Sequence, residues 1–125
     1  MEKQNLPPQR DLNEFVEAIL AIVFAYKPQN RVIIFSSFVP DVCVLLATKQ
    51  STYPVFFLTD AGWDDTYSDQ RCLALRDGIR FARSAGLHGI VSWLPPLLNT
   101  PVLCGAVKQA GLQLLTYGTV RLLAK

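Results

Sequence analysis

The chain has 125 residues, half of them hydrophobic and 18% charged, with a formal charge of +2. That profile is one of a single soluble α/β domain with a substantial core. The charge is small and the basic residues are scattered, so no case for nucleic-acid binding arises.

Taken in chain order, apolar and polar residues alternate between helical and strand patterns. From about Asp11 to Tyr26, Leu12, Phe15, Val16, Ile19, Ile22 and Val23 return to one face of a helix, with Asp11 and Glu14 suitably placed in its first turn. Lys27-Pro28 ends it. Val32 to Phe38 is a continuous apolar and β-branched run, expected as a parallel strand covered on both faces. Pro40-Asp41 opens a helix to about Lys49, because proline costs nothing at a first turn where its N–H would be unpaired. Val55 to Thr59 is a second buried strand, and Asp60 to Asp65 a polar loop. Ser68 or Asp69 caps a long helix with Cys72, Leu75, Ile79 and Ala82 on one face, stopped at Gly86. Gly89 to Trp93 is a third strand, Pro101 to Ala110 a third crossover helix ending at Gly111, and Leu112 to Tyr117 a fourth strand. Each crossover is of βαβ length, so the four strands are expected to be parallel.

Two architectures accommodate this order: an open doubly wound sheet, or an arc of a (β/α)8 barrel, whose total of roughly 250 residues is twice this length. No Gly-rich phosphate turn follows any strand, and the first element is a helix with no strand before it. The expectation is half of a (β/α)8 TIM-type barrel. Cys43, Cys72 and Cys104 are odd in number and far apart, as for reduced packing thiols in a cytoplasmic protein. No secretory or transit leader is evident, and the longest apolar stretch, Ala18 to Tyr26, is too short for a membrane span of about twenty residues.

Candidate chemistry is sparse. His88 stands alone, just before a strand and at the barrel end opposite the usual site, so it reads as a satisfied loop residue. Asp60, Asp64, Asp65 and Asp69 follow a strand on the site face, but not at calcium-loop spacing, and read as a solvated connection with a helix cap. Ser36 and Ser37 have no histidine to pair with. Arg76, Arg80 and Arg83 read as a solvated helix face. Phe38, Trp93 and Tyr117 end successive strands, either as the apolar lip of a substrate pocket or as a cap on the barrel core.

The segment Ile33-Ile-Phe-Ser-Ser-Phe-Val-Pro-Asp-Val-Cys resembles the fifth strand and helix of glycerophosphodiester phosphodiesterases. Lys49-Gln50 with Tyr53-Pro-Val-Phe-Phe-Leu-Thr resembles the sixth strand of their fungal and eukaryotic glycerophosphocholine-cleaving branch. Ile79-Arg-Phe-Ala-Arg, Gly89-Ile-Val-Ser, Val107-Lys-Gln-Ala-Gly-Leu and Thr116-Tyr-Gly continue in order. On that resemblance, residues 1–125 are the C-terminal half of a catalytic domain. It hydrolyses a small glycerophosphodiester such as glycerophosphocholine to glycerol 3-phosphate and an alcohol.

The resemblance also implies a divalent metal, magnesium or calcium, held by carboxylates from early strands, with two histidines as acid and base. The family's His-Arg-Gly, Glu-x-Asp, His-Asp and Glu-x-Lys patterns do not occur in this sequence. No catalytic or metal-ligating residue is therefore assigned, and the chain alone is expected to be inactive. Ser37, Phe38 and Tyr117 are the candidates for lining the substrate site. Two departures stand out: Trp93 occupies a position where relatives tend to carry a charge, and Val120-Arg-Leu-Leu-Ala-Lys125 follows Thr116-Tyr-Gly where a polar segment is usual. The alternative is a non-catalytic module that self-associates, or docks onto a partner such as the missing N-terminal half-barrel, through unpaired strand edges.

Overall fold

The computed structural model describes residues 9–26, 31–64, 66 and 68–118. Their elements are α1 (Gln9–Tyr26), β1 (Phe35–Ser37), α2 (Pro40–Lys49), β2 (Val55–Thr59), a 3-10 turn (Gln70–Cys72), α3 (Leu75–Ser84), β3 (Gly89–Trp93), α4 (Leu94–Asn99), α5 (Val102–Gln109) and β4 (Gln113–Tyr117). All neighbouring strands are parallel, and the sheet order is the chain order, β1-β2-β3-β4. A doubly wound sheet reverses at a switch point, whereas a barrel adds every strand to the same side of the last. The order is that of a barrel.

Side-chain alternation gives the sheet two unlike faces. Phe35, Val55, Phe57, Ile90 and Leu114 point to one of them. They share a single core with Leu12 and Val16 of α1, Leu46 of α2, Phe81 of α3, Leu97 of α4 and Val107 of α5. All five helices thus cover the same side. The Phe57 ring meets Phe81 edge-on, with centroids 5.1 Å apart. Gly78 lets α3 come that close, since a Cβ there would lie 3.2 Å from the Phe57 ring.

The other face carries Phe56, Leu58, Val91, Trp93, Leu115 and Tyr117 by register, and none of these belongs to the helix-covered core. Phe56 is buried there by lying across Gly89, where an added Cβ would stand 2.6 Å from its ring and 2.2 Å from the Gln113 carbonyl oxygen. This face is concave. Phe38, just past β1, and Tyr117 of β4 bring their ring centroids to 6.0 Å. In a flat sheet the outer strands, three spacings apart, would hold such rings about 14 Å from each other.

Three expectations need correction. The first strand is shorter than Val32 to Phe38 and is not covered on both faces: Val32 is 93% exposed and Ile34 is also exposed. The ladder begins only where Phe35 meets Val55, and β1 has a single neighbour in the sheet. The long helix after Asp69 is broken. Asp69 does cap a turn, accepting the Arg71 N–H, but Ala74 is extended (φ −146°, ψ 156°) before α3 begins. The Leu73 carbonyl lies against Gly62, where a Cβ would be 2.8 Å away, so the break seats the loop that follows β2. Finally, α4 lies between the expected third strand and third crossover helix, where no helix is indicated; Pro95 and Pro96 both fall in its first turn, where no N–H partner is lost.

Gly86 and Gly111 end α3 and α5 in the left-handed conformation, as the sequence indicates. Lys27, Pro28 and residues 120–125 lie outside the described residues. No helix among those described is long and apolar enough to cross a membrane.

Gly89→Ala is expected to cost about 1–3 kcal/mol in urea unfolding, because both obstacles to the new methyl group are fixed. Gly105→Ala, on an α5 surface with nothing within 4 Å of the new atom, should instead gain about 0.5–1 kcal/mol.

Candidate functional site

Parallel strands place all their C-terminal ends on one rim, the rim on which barrel sites are built. Here it collects Ser37 and Phe38 at the end of β1, Thr59 and Asp60 at the end of β2, Trp93 of β3 and Tyr117 of β4. The structure brings Phe38 and Tyr117 together edge to face, and Trp93 is the register partner of Tyr117. The Tyr117 hydroxyl donates to the Thr59 carbonyl at 3.4 Å. Ser37 is engaged differently. It shares the register of Phe57, on the helix-covered side, and its Oγ accepts the Val39 N–H at 3.0 Å. Its hydroxyl therefore shapes the turn that carries Phe38 to the rim.

The loop after β2 contributes a residue that sequence reasoning missed. Ala61 (φ 57°) and Gly62 (φ 88°) are successive left-handed residues, the sign pattern of a type I′ turn. Three bonds hold them: Thr59 Oγ1 accepts the Ala61 N–H at 3.1 Å, Asp60 Oδ1 the Gly62 N–H at 3.1 Å, and the Asp60 carbonyl the Trp63 N–H at 3.2 Å. Alanine in this region costs about 1 kcal/mol. The turn sets Trp63 against Trp93, with centroids 4.8 Å apart and planes at 70°. Trp63 nevertheless remains 72% exposed. Past β4, Gly118 (φ 103°) runs so close to Trp93 that a Cβ would lie 2.9 Å from the indole. The available signal was the indole itself, a large apolar group in an otherwise polar loop.

The acidic residues of this region are mostly occupied by local structure. Asp64 accepts the N–H and hydroxyl of Thr66 at 3.0 and 2.7 Å. Asp69 accepts the Arg71 N–H and Nε–H, each at 2.9 Å, and the Arg71 side chain also reaches Asp41 at 3.1 Å. Arg71 hydrogen bonds hold the Asp69 carboxyl below its ordinary value. With two carboxylates and the Phe81 ring at 5.2 Å around it, Arg71 clasps the rim. Asp65 lies outside the described residues. Among those described, no three His, Cys, Asp or Glu side chains gather as a cation site. The described residues do not fit a divalent metal.

Elsewhere, His88 is exposed at the opposite, N-terminal end of β3, where its Nδ1 accepts the Val55 N–H at 3.3 Å. It is the satisfied loop residue that its position indicates. Arg76, Arg80 and Arg83 are exposed on α3, in the layer behind the sheet, beside a shallow cleft of about 490 Å³. Cys43 is fully buried, and burial pushes its thiol up to about 12. Cys72 is buried too, and Cys104 half-buried.

The chain matches the glycerophosphoryl diester phosphodiesterase family over residues 1–121. It is 47% identical over 109 residues to a glycerophosphocholine phosphodiesterase of Candida albicans, covering 87% of this chain and 9% of that protein. To its Schizosaccharomyces pombe counterpart it is 45% identical over 120 residues, covering 95% and 10%. To the glycerophosphodiester phosphodiesterase GDPD2 of Arabidopsis thaliana it is 38% identical over 117 residues, covering 94% and 31%. The chain thus spans about a tenth of the fungal relatives and under a third of the plant one. The crystal structure of a glycerophosphodiester phosphodiesterase from Parabacteroides distasonis superposes with a TM-score of 0.66 at 14% identity, over 94% of this chain and 42% of that one. That likeness shows the barrel-type fold.

Asp69→Ala removes both the cap and the Arg71 clasp and is expected to cost about 1 kcal/mol. Asp69→Asn keeps an acceptor for the Arg71 N–H and should recover part of it at neutral pH. The folded state holds this carboxyl below its ordinary 3.8, so its charge stabilises above that value and the benefit is lost as pH falls below it. In thermal melts, the gap between the native chain and Asp69→Asn should narrow below that pH.

Proposed function

Because this chain belongs to the glycerophosphoryl diester phosphodiesterase family, we propose that residues 1–125 form the C-terminal half of a phosphodiesterase barrel. Its reaction is the hydrolysis of glycerophosphodiesters, glycerophosphocholine among them, to glycerol 3-phosphate and an alcohol, in the cytoplasm. Water supplies the oxygen that joins phosphorus, and the alcohol leaves with the remaining hydrogen. The observation that carries the reading is the family match across residues 1–121.

In this reading the half-barrel provides the walls of the site rather than its proton-transfer groups. Phe38 and Tyr117 line the mouth, and Ser37 holds the turn that places Phe38 there. The family's divalent cation, magnesium or calcium, neutralises phosphate charge when bound, and its ligands belong to the preceding half. A groove of about 360 Å³ supports that division. It runs along the open edge of β1, between Phe15, Val16 and Ile19 of α1 and Ile34 and Ser36, where a barrel's preceding strand would lie.

The same open edges favour a second reading, association without catalysis. Among the described residues β1 and β4 each have one neighbouring strand, and Leu115 on the concave face is 42% exposed. Such edges and patches are covered by a second copy or another polypeptide.

The test is a glycerophosphocholine assay with magnesium or calcium, on the chain alone and co-expressed with the first half of the Candida albicans relative's phosphodiesterase domain. Turnover is expected only with both halves. A stable complex of the two without turnover would defeat the catalytic reading, and turnover by the chain alone would defeat the division of labour. Light scattering reports the self-associating form of the second reading, which a monodisperse monomer would exclude.

A further inference from the structure

We propose that the corner formed by Trp63 and Trp93, with Asp60 beside it, receives the quaternary ammonium group of the substrate's alcohol. This half-barrel would then be the part that selects choline-type glycerophosphodiesters. The inference rests on the phosphodiesterase reading for the presence of substrate at this rim.

A trimethylammonium group has no N–H, so it cannot be recognised by directed hydrogen bonds. It is held by aromatic faces, which present negative charge to a diffuse cation, and indole is the strongest of them. Here two indoles meet edge to face, with centroids 4.8 Å apart and planes at 70°, two walls of a corner. The corner lies on the rim where Phe38 and Tyr117 also meet. Asp60 follows Thr59, which is in register with Ser92, and so stands level with Trp93 on the adjacent strand. Its Oδ1 accepts the Gly62 N–H, and no described cation pairs with it. The basic side chain of this rim, Arg71, is held by Asp41 and Asp69 and stacks on Phe81, not on either indole.

Packing does not account for Trp63. A residue that merely capped the core would be buried, whereas this one is 72% exposed, held there by a turn that puts Ala61 in a costly conformation. A charged side chain at position 93 would read a different group, and the indole suits a cation that carries methyl groups.

The experiment titrates the full chain with choline and with 3,3-dimethylbutan-1-ol, its neutral isostere, following tryptophan emission and indole N–H resonances. Choline is expected to bind about tenfold more tightly than the isostere. Trp63→Ala and Trp93→Leu should each weaken choline about three- to tenfold, while Trp93→Phe retains part of the affinity. Because Trp63 is exposed, its removal leaves the fold intact, which circular dichroism confirms. Equal binding of choline and the isostere, or unchanged choline binding in Trp63→Ala, overturns the proposal.

In the two-half enzyme, Trp63→Ala should lower the kcat/KM preference for glycerophosphocholine over glycerophosphoethanolamine. Hydrolysis with that preference unchanged also overturns it. A choline preference in the titration, without hydrolysis of any glycerophosphodiester, would retire the phosphodiesterase reading and leave the ammonium site standing.

Discussion

The four strands pair in parallel and in chain order, and that constraint positions every functional side chain of this protein. A parallel partner is reached only by a crossover, and here every crossover returns over the same face. Leu12, Leu46, Phe81, Leu97 and Val107 come from five different helices and enter one core. The opposite face is left for a concave interior, and the C-terminal ends of all four strands arrive on one rim. At Gly89 the backbone meets an aromatic ring with no room for a side chain, and at Gly78 with little. They let Phe56 and Phe57 pack on opposite sides of the same strand.

The rim divides into two chemistries. On one side Arg71, Asp69 and Asp41 neutralise one another and fasten the 3-10 turn to the start of α2. On the other, Phe38, Tyr117, Trp93 and Trp63 form an aromatic surface with Asp60 at its border. Charges consumed in a clasp hold the frame, while the aromatic side offers faces to a ligand. The lone histidine is at the other end of the strands, bonded to the Val55 N–H.

Much of this was legible in the sequence. The buried strands Val55–Thr59 and Gly89–Trp93 are mostly apolar and flanked by turn residues, and helix stops at Gly86 and Gly111 require only a left-handed residue. Where the reading went astray, the cause was not local. Val32 and Ile34 have strand propensity but no partner opposite them. The helix after Asp69 breaks because Leu73 seats the Gly62 loop, a contact between residues eleven apart in the chain that no periodicity reports. Pro95-Pro96 is as compatible with a first turn as with a loop, and only the packing of Leu97 decides it.

What the sequence determined by itself is the alternation of four strands with crossover helices, their parallel pairing and the family resemblance, because hydrophobic period and turn chemistry are local properties. What the tertiary structure decided is which ends meet. Phe38 follows one outer strand and Tyr117 ends the other, and they touch only because the sheet curves. Trp63 joins Trp93 only because a left-handed turn at Ala61 and Gly62 folds the loop back over the neighbouring strand. Curvature and loop direction arise from many weak contacts summed across the fold, and no single stretch of residues encodes them.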